Sequence, residues 1–303
     1  MAILKLTPDL EEAKFFEHEF ENLSLLNAHG DPQFIVTIPK PLYFGRSKDF
    51  TTLAETAMPG TRMKNFPPNG YFSSNRFQLH FANVVQWLYG FHQCVAGSQT
   101  EPASLDNENQ LSVPIEEYQN TFRLSSELDS LLKATMECLE QADIPMTPWH
   151  RDFCTANVLV NNAQQISIID WEHPLIRSWP LLDLLYFITS IWCIPYKKGK
   201  NSLVNNYRRL FFTQNRHTDL IRKSVSGYMQ RLGVKTEYVL CLSVIAWVLY
   251  ANGKRRCMEA RKKASGTGSR DPESFPLIMV ENNQCLNLEI LAKNLQSYVL
   301  NSL

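Results

Sequence analysis

Between positions 10 and 26, apolar residues recur at steps of three and four: Leu10, Ala13, Phe16, Phe20, Leu23 and Leu26. That spacing predicts a helix with one buried stripe. The strand-like run Ala2–Leu6 comes before it; Thr7-Pro8-Asp9 breaks the strand, and Asp9 is positioned to cap the helix. Turning the helix by about 100° per residue puts Glu19 on the apolar stripe between Phe16 and Leu23, while Glu17 and Glu21 point away. A carboxylate on a buried stripe is costly unless a positive group meets it. Lys5, on the preceding strand, is the nearest candidate in sequence.

Two strand-like runs follow, Pro41–Gly45 and Phe50–Ala57, and Met58-Pro59-Gly60 ends the second at a natural boundary. A helix is predicted over Ser73–Val95, with Phe77, Phe81, Val84, Val85, Leu88 and His92. Gly97–Gln110 is polar enough for an exposed loop, and another helix is predicted over Leu124–Ala142. Val158–Val160 and Ile166–Ile169, joined by Asn161-Asn162-Ala163, read as a hairpin. From Pro180 the pattern is helical almost to the end, with a low-complexity break at Ser265–Ser274 and no internal repeat. The order predicts a small α/β lobe over residues 1–58 and a larger helical lobe, with a hairpin near its start, over 59–303.

Bulk properties narrow the function. A chain of 303 residues, 44% hydrophobic, is long enough for one large domain or two lobes with their own cores. Thirty basic and thirty acidic residues leave no net charge, whereas a nucleic-acid groove needs a basic excess. Seven scattered cysteines fit reduced thiols in a cytosolic protein. The N-terminus lacks the apolar core of a signal peptide, and the runs Tyr238–Tyr250 and Trp179–Trp192 are too short for a bilayer. A cytoplasmic protein with no membrane or nucleic-acid partner is expected.

The chemistry concentrates in His150-Arg151-Asp152-Phe153-Cys154-Thr155-Ala156-Asn157 and in Ile168-Ile169-Asp170-Trp171-Glu172. Phosphoryl transfer needs an acceptor for the attacking hydroxyl's proton and hard oxygen ligands for magnesium. Asp152 in a loop could be the base, and Asn157 and Asp170 could be the ligands, with the hairpin folding Asp170 back beside the loop. His150 fits a structural role, orienting the loop backbone. Glu172 fits either a structural hydrogen bond or assistance to metal or acceptor. For Trp171, Trp179, Tyr186 and Trp192, core packing is favoured over stacking on a sugar.

These residues resemble the small-molecule branch of the kinase superfamily, the aminoglycoside phosphotransferase and choline kinase-like enzymes. That branch carries a His-x-Asp-x-x-x-x-Asn loop and an Ile-Asp-(Phe/Trp)-Glu motif, matched here at 150–157 and 169–172. The resemblance implies a protein kinase-like α+β fold of two lobes, ATP and Mg2+ as cofactors, and a small-molecule hydroxyl acceptor such as an amino sugar, sugar or amino alcohol. It implies Asp152 as catalytic base and Asn157 and Asp170 as magnesium ligands. Lys5 would contact the nucleotide phosphates with Glu19 as its partner. Glu55, Ala57 and Met58 would form the adenine-contacting hinge, and Asp183 would support the catalytic loop.

The match departs from the family in two ways. Arg151 stands where small-molecule kinases usually carry Gly, but Cys154 replaces the Lys of Ser/Thr protein kinases, Asp-Trp-Glu replaces Asp-Phe-Gly, and no Ala-Pro-Glu follows; protein phosphorylation is disfavoured. The family's Gly-rich hairpin should precede the Lys5 strand, and only four residues do. The expectation is a small lobe lacking that hairpin: either the start is missing from this sequence or the protein is a truncated relative. The alternative function is therefore a weak or inactive kinase-like protein that binds nucleotide or a partner protein.

Overall fold

The predicted N-terminal strand forms as β1 (Ala2–Thr7), and the amphipathic helix as α1 (Leu10–His29). Asp9 caps α1 by accepting hydrogen bonds from the N–H groups of Glu11 and Glu12, which satisfies two otherwise orphaned donors. The computed structural model describes residues 1–66, 71, 74–96, 108–122, 124–192 and 213–265. Most of the predicted loop over 97–110 and of the break over 265–274 lies outside them.

By internal contacts the chain divides into two compact units. The first comprises Met1–Ser104, Met146–Ser178 and Tyr186–Ile191; the second comprises Leu105–Pro145, Trp179–Leu185 and Trp192–Leu303. The lobe boundary expected at 58–59 falls inside the first unit.

In the first unit, β2 (Pro41–Arg46) and β3 (Thr51–Thr56) join β1 in an antiparallel sheet of order β1-β3-β2. In the register, Lys5 lies opposite Leu53 and Ile3 opposite Glu55. The central strand buries Thr51, Leu53 and Glu55 on one face, a period-two pattern. Phe44 of β2 stacks on Phe20 of α1 at 5.7 Å, so α1 covers this sheet.

After Gly60, the short strand β4 (Thr61–Arg62) pairs with Leu159 and Val160. Gly60 has φ 130°, and a Cβ there would lie 2.8 Å from the Val160 carbonyl carbon, so only glycine suits the position. Helix α3 (Asn75–Ala96) supplies the aromatic core with Phe77, Phe81, Trp87 and Phe91; a short helix α2 (Pro32–Ile35) lies before β2. The predicted hairpin forms from β6 (Val158–Val160) and β7 (Ile166–Ile168), paired antiparallel. A second strand pair, β5 (Thr147–Trp149) with β8 (Ile176–Ser178), brackets the chemical motifs and was not predicted from the sequence.

The second unit is helical among its described residues. It contains α4 (Val113–Thr121), α5 (Ser126–Glu140), the start of α6 (Leu182–Trp192), α7 (Arg216–Arg231) and α8 (Val239–Ser265). The buried amide of Asn252 on α8 donates to Pro114 O at 2.8 Å, tying α8 to α4. The apolar run Tyr238–Tyr250 sits in a longer helical window, Thr236–Gly253, which meets the length and composition of a membrane span; 61% of it is buried, as a core helix requires.

Candidate active site

The Lys5 ammonium lies 2.6 Å from Glu19 Oε2, so the inward carboxylate of α1 meets the positive group expected for it. A second carboxylate joins them: Glu55 Oε1 is 3.6 Å from Lys5 Nζ, and Glu55 Oε2 is buried without a hydrogen-bond partner. Burial opposes the charged form of Lys5, but the attraction of Glu19 and Glu55 and the hydrogen bond to Glu19 outweigh it and raise its pKa. Burial also raises Glu19, with Lys5 pulling the other way. Glu55 is pushed up to about 7, by burial and then by repulsion from Glu19. One lysine thus serves two buried acids.

The loop between β5 and β6 carries the base candidate. Asn157 Nδ2 donates to Asp152 Oδ2 at 2.8 Å and to Asp152 O at 3.0 Å. The two motif residues are therefore locked together across the loop. Asn157 N and Val158 N both donate to Cys154 O, and Thr155 N donates to Ser190 Oγ at 3.0 Å, so the loop's backbone is largely satisfied. His150 is buried against Trp171 and Phe153, with ring centroids at 4.5 and 5.9 Å, and accepts from Asp152 N. Burial lowers its pKa to about 3, so the imidazole is neutral at physiological pH and suited to holding the loop rather than to proton transfer. Arg151 adopts φ 73° with its guanidinium 5.3 Å from the Trp149 ring centroid, a left-handed backbone in a position that Gly would occupy without strain.

The hairpin delivers Asp170. Ile169 N donates to Asn157 O at 3.1 Å, which fastens the end of the hairpin beside the loop, and Asp170 itself sits at φ 73°. Trp171 is 1% exposed and packs on Trp87, Phe91 and His150, so it serves the core. Trp171 N donates to Glu19 Oε1 at 3.3 Å. Glu19 thus holds Lys5 with one oxygen and the residue after Asp170 with the other. Burial, then the charges of Asp170 and Asp152, push Glu172 up to about 7; its carboxylate is 3.8 Å from His173.

The remaining sequence candidates are distributed differently. Glu55, expected in the hinge, lies inside the central strand with its carboxylate turned toward Lys5. Ala57 follows that strand, and its N–H donates to Met1 O at 3.0 Å; Met58 comes next, before Pro59. Asp183 is buried in the second unit, where its charge, after burial, raises the pKa of the Tyr228 hydroxyl. Sequence reasoning missed Asn22, whose amide binds the backbone after Asp170.

The donor set suits magnesium. Asp170 and Asn157 offer hard oxygens, and engagement of the Asn157 amide nitrogen by Asp152 leaves its carbonyl oxygen as the group available to a cation. Among the described residues no cluster of three or more His, Cys, Asp or Glu forms a self-contained cage. An ion here would be shared with ligand oxygens, as magnesium usually is.

Residues 2–211, more than half the chain, match the sequence model of the phosphotransferase enzyme family. The chain belongs to that family. No curated protein sequence matches it. Among solved structures, a choline kinase from Streptococcus pneumoniae is similar with TM-score 0.53 at 11% identity, over 95% of this chain and 86% of that one. An aminoglycoside phosphotransferase from Alicyclobacillus acidocaldarius is similar with TM-score 0.51 at 12% identity, over 99% and 87% respectively. The phosphotransferase therefore has the α+β, protein kinase-like, two-lobe fold.

Proposed function

We propose that this phosphotransferase moves the γ-phosphate of ATP, with magnesium, to a hydroxyl of a small molecule such as an amino sugar, sugar or amino alcohol. The observation that carries the reading is Glu19, which joins the Lys5 ammonium to the Trp171 N–H beside Asp170 while Asn157 holds Asp152. The two fold relatives are named for choline and aminoglycoside, in line with a small-molecule acceptor.

Asp152 accepts the proton of the acceptor hydroxyl, and the hydrogen bond from Asn157 fixes its carboxylate within the loop. Lys5, held by Glu19 and Glu55, presents a fixed ammonium to phosphate oxygens; a held charge needs no reorganisation when the reaction occurs. Asn157 and Asp170 would hold the magnesium ion, which when bound supplies charge neutralisation for the phosphates. His150 stays neutral and keeps the loop backbone aligned.

The test is thermal stability with ATP and Mg2+, followed by ATP turnover across a panel of hydroxyl-bearing metabolites. Stabilisation by MgATP with turnover on one acceptor class is expected. Stabilisation with no turnover on any acceptor would favour a weak or inactive nucleotide-binding protein. No response to nucleotide at all would overturn the proposed activity and leave a kinase-like protein that binds a partner protein.

A further inference from the structure

The apolar stripe of α1 carries a second polar interruption. Asn22 is 7% exposed and sits three residues after Glu19, on the same side of the helix. Its Nδ2 donates to Trp171 O and to His173 O, both at 2.7 Å, and its Oδ1 accepts from Leu175 N at 3.2 Å. All three partners are backbone groups at alternate positions of the segment between Asp170 and β8, so the amide fixes that segment's orientation as well as its distance.

Trp171 shows how complete the grip is. Glu19 takes its N–H, Asn22 takes its C=O, and its indole is buried with Nε1 donating to Ile168 O. The residue held in this way directly follows Asp170, whose left-handed φ of 73° is unfavourable for an aspartate outside a turn. Such a conformation persists where surrounding bonds over-determine it.

We propose that Asn22 is a positioning residue: it holds the backbone that aims the Asp170 carboxylate, and α1 thereby sets Asp170 and Lys5 relative to one another. The inference rests on the proposed reading of Asp170 as a magnesium ligand. In this role Asn22 acts through the backbone of residues 171–175, to which all three of its side-chain hydrogen bonds go. Partners of this kind, one step behind a ligand, typically change metal affinity about 10- to 100-fold when lost.

The test uses the full chain with Asn22→Asp, which keeps the shape and loses both donors, and Asn22→Ser, which shortens the side chain. Asn252→Ser, which removes a buried amide from the second unit, controls for loss of stability alone. Titration calorimetry gives the ATP Kd with excess Mg2+ and with a chelator, and their ratio is the magnesium enhancement. In both Asn22 variants that enhancement is expected to fall about tenfold or more while the metal-free Kd changes little; Asn252→Ser keeps the enhancement. Folded Asn22 variants with an unchanged enhancement would overturn the proposal and make Asn22 a structural tie.

A second measurement needs no variant. If the clamp favours metal, metal must favour the clamp, so exchange of the Leu175 amide in the ATP-saturated protein is expected to slow when Mg2+ is added. Unchanged exchange would overturn the inference while leaving the proposed function standing. If the unaltered protein shows no magnesium enhancement, the reading of Asp170 falls, and this inference falls with it.

Discussion

The residues that define the candidate site differ in how far the sequence exposed them. Asp152, Asn157 and Asp170 stand in short motifs, and helical phase alone marked Glu19 as a buried acid in need of a cation. The same logic could have found Asn22, a polar amide on the stripe that buries Leu23 and Leu26. It also could have found Glu55, because alternation along Thr51–Thr56 puts Glu55 on the buried face with Leu53. What the sequence did not reveal is that Glu55 joins Glu19 on Lys5, since that depends on the register of β1 against β3. Two predictions belong here. Asp152→Ala lowers turnover by roughly a hundredfold or more with little change in the Kd for MgATP, measured by steady-state kinetics and calorimetry; near-normal turnover would remove Asp152 as the base. Glu55 gives a pH dependence. Its folded pKa of about 7 lies above its ordinary 4.5, so the folded state holds the proton more tightly. Its contribution is fully present below about pH 4.5 and is lost as pH rises through 7, a difference on the order of 3 kcal/mol. Glu55→Gln is therefore expected to raise the melting temperature at pH 8 and to flatten the decline between pH 5 and pH 8. A variant that melts below the parent at pH 8, with the same slope, would show that pairing with Lys5 outweighs burial.

At the scale of elements, α1, α3, α5 and the β6–β7 hairpin were legible because periodicity and turn residues are local signals, whereas α2 and α4 were not read from the sequence. The β5–β8 pair and β4 were not, because three-residue and two-residue strands acquire their identity only from distant partners. Those short strands nonetheless decide the geometry. The β5–β8 pair brackets the loop, the hairpin and the Asp170 segment, so both motifs leave from one paired base. Strand β4 joins the residues after the expected hinge to β6, and Gly60 makes that join possible. Gly60→Ala combines an unfavourable positive φ with a clash against the Val160 backbone, where nothing flexible can yield. Destabilisation of roughly 1–3 kcal/mol is expected in urea unfolding, without a change in the MgATP enhancement of the folded protein. A loss within about 0.5 kcal/mol, the range of ordinary surface changes, would mean that the β4–β6 approach relaxes freely.

At the scale of the whole molecule, charge is balanced, with 30 basic and 30 acidic residues, yet the candidate site is not. Glu19, Glu55, Asp152, Asp170 and Glu172 all lie in the first unit, and the charges of Asp170, Asp152 and Glu19 each raise the pKa of Glu172. Lys5 pairs with two of these acids, Glu19 and Glu55. Under the proposed reading, such a group of acids disfavours a free nucleotide triphosphate and favours the same molecule once a divalent cation has been added. Family membership alone does not force this: a pocket that met phosphates mainly with Lys and Arg would bind metal-free ATP well and lose that affinity as salt screened it. The two designs therefore respond oppositely to salt. In the presence of a chelator, the ATP affinity of this protein is expected to be at least about tenfold weaker than with excess Mg2+, by analogy with the loss of a bound ion's charge at such sites. Raising the KCl concentration should leave that weak metal-free affinity level or slightly improve it, because salt then screens repulsion. Tight metal-free binding that declines steadily with KCl would show that cations other than Lys5 govern the site, and the assignment of Asn157 and Asp170 as the metal-holding pair would have to be given up.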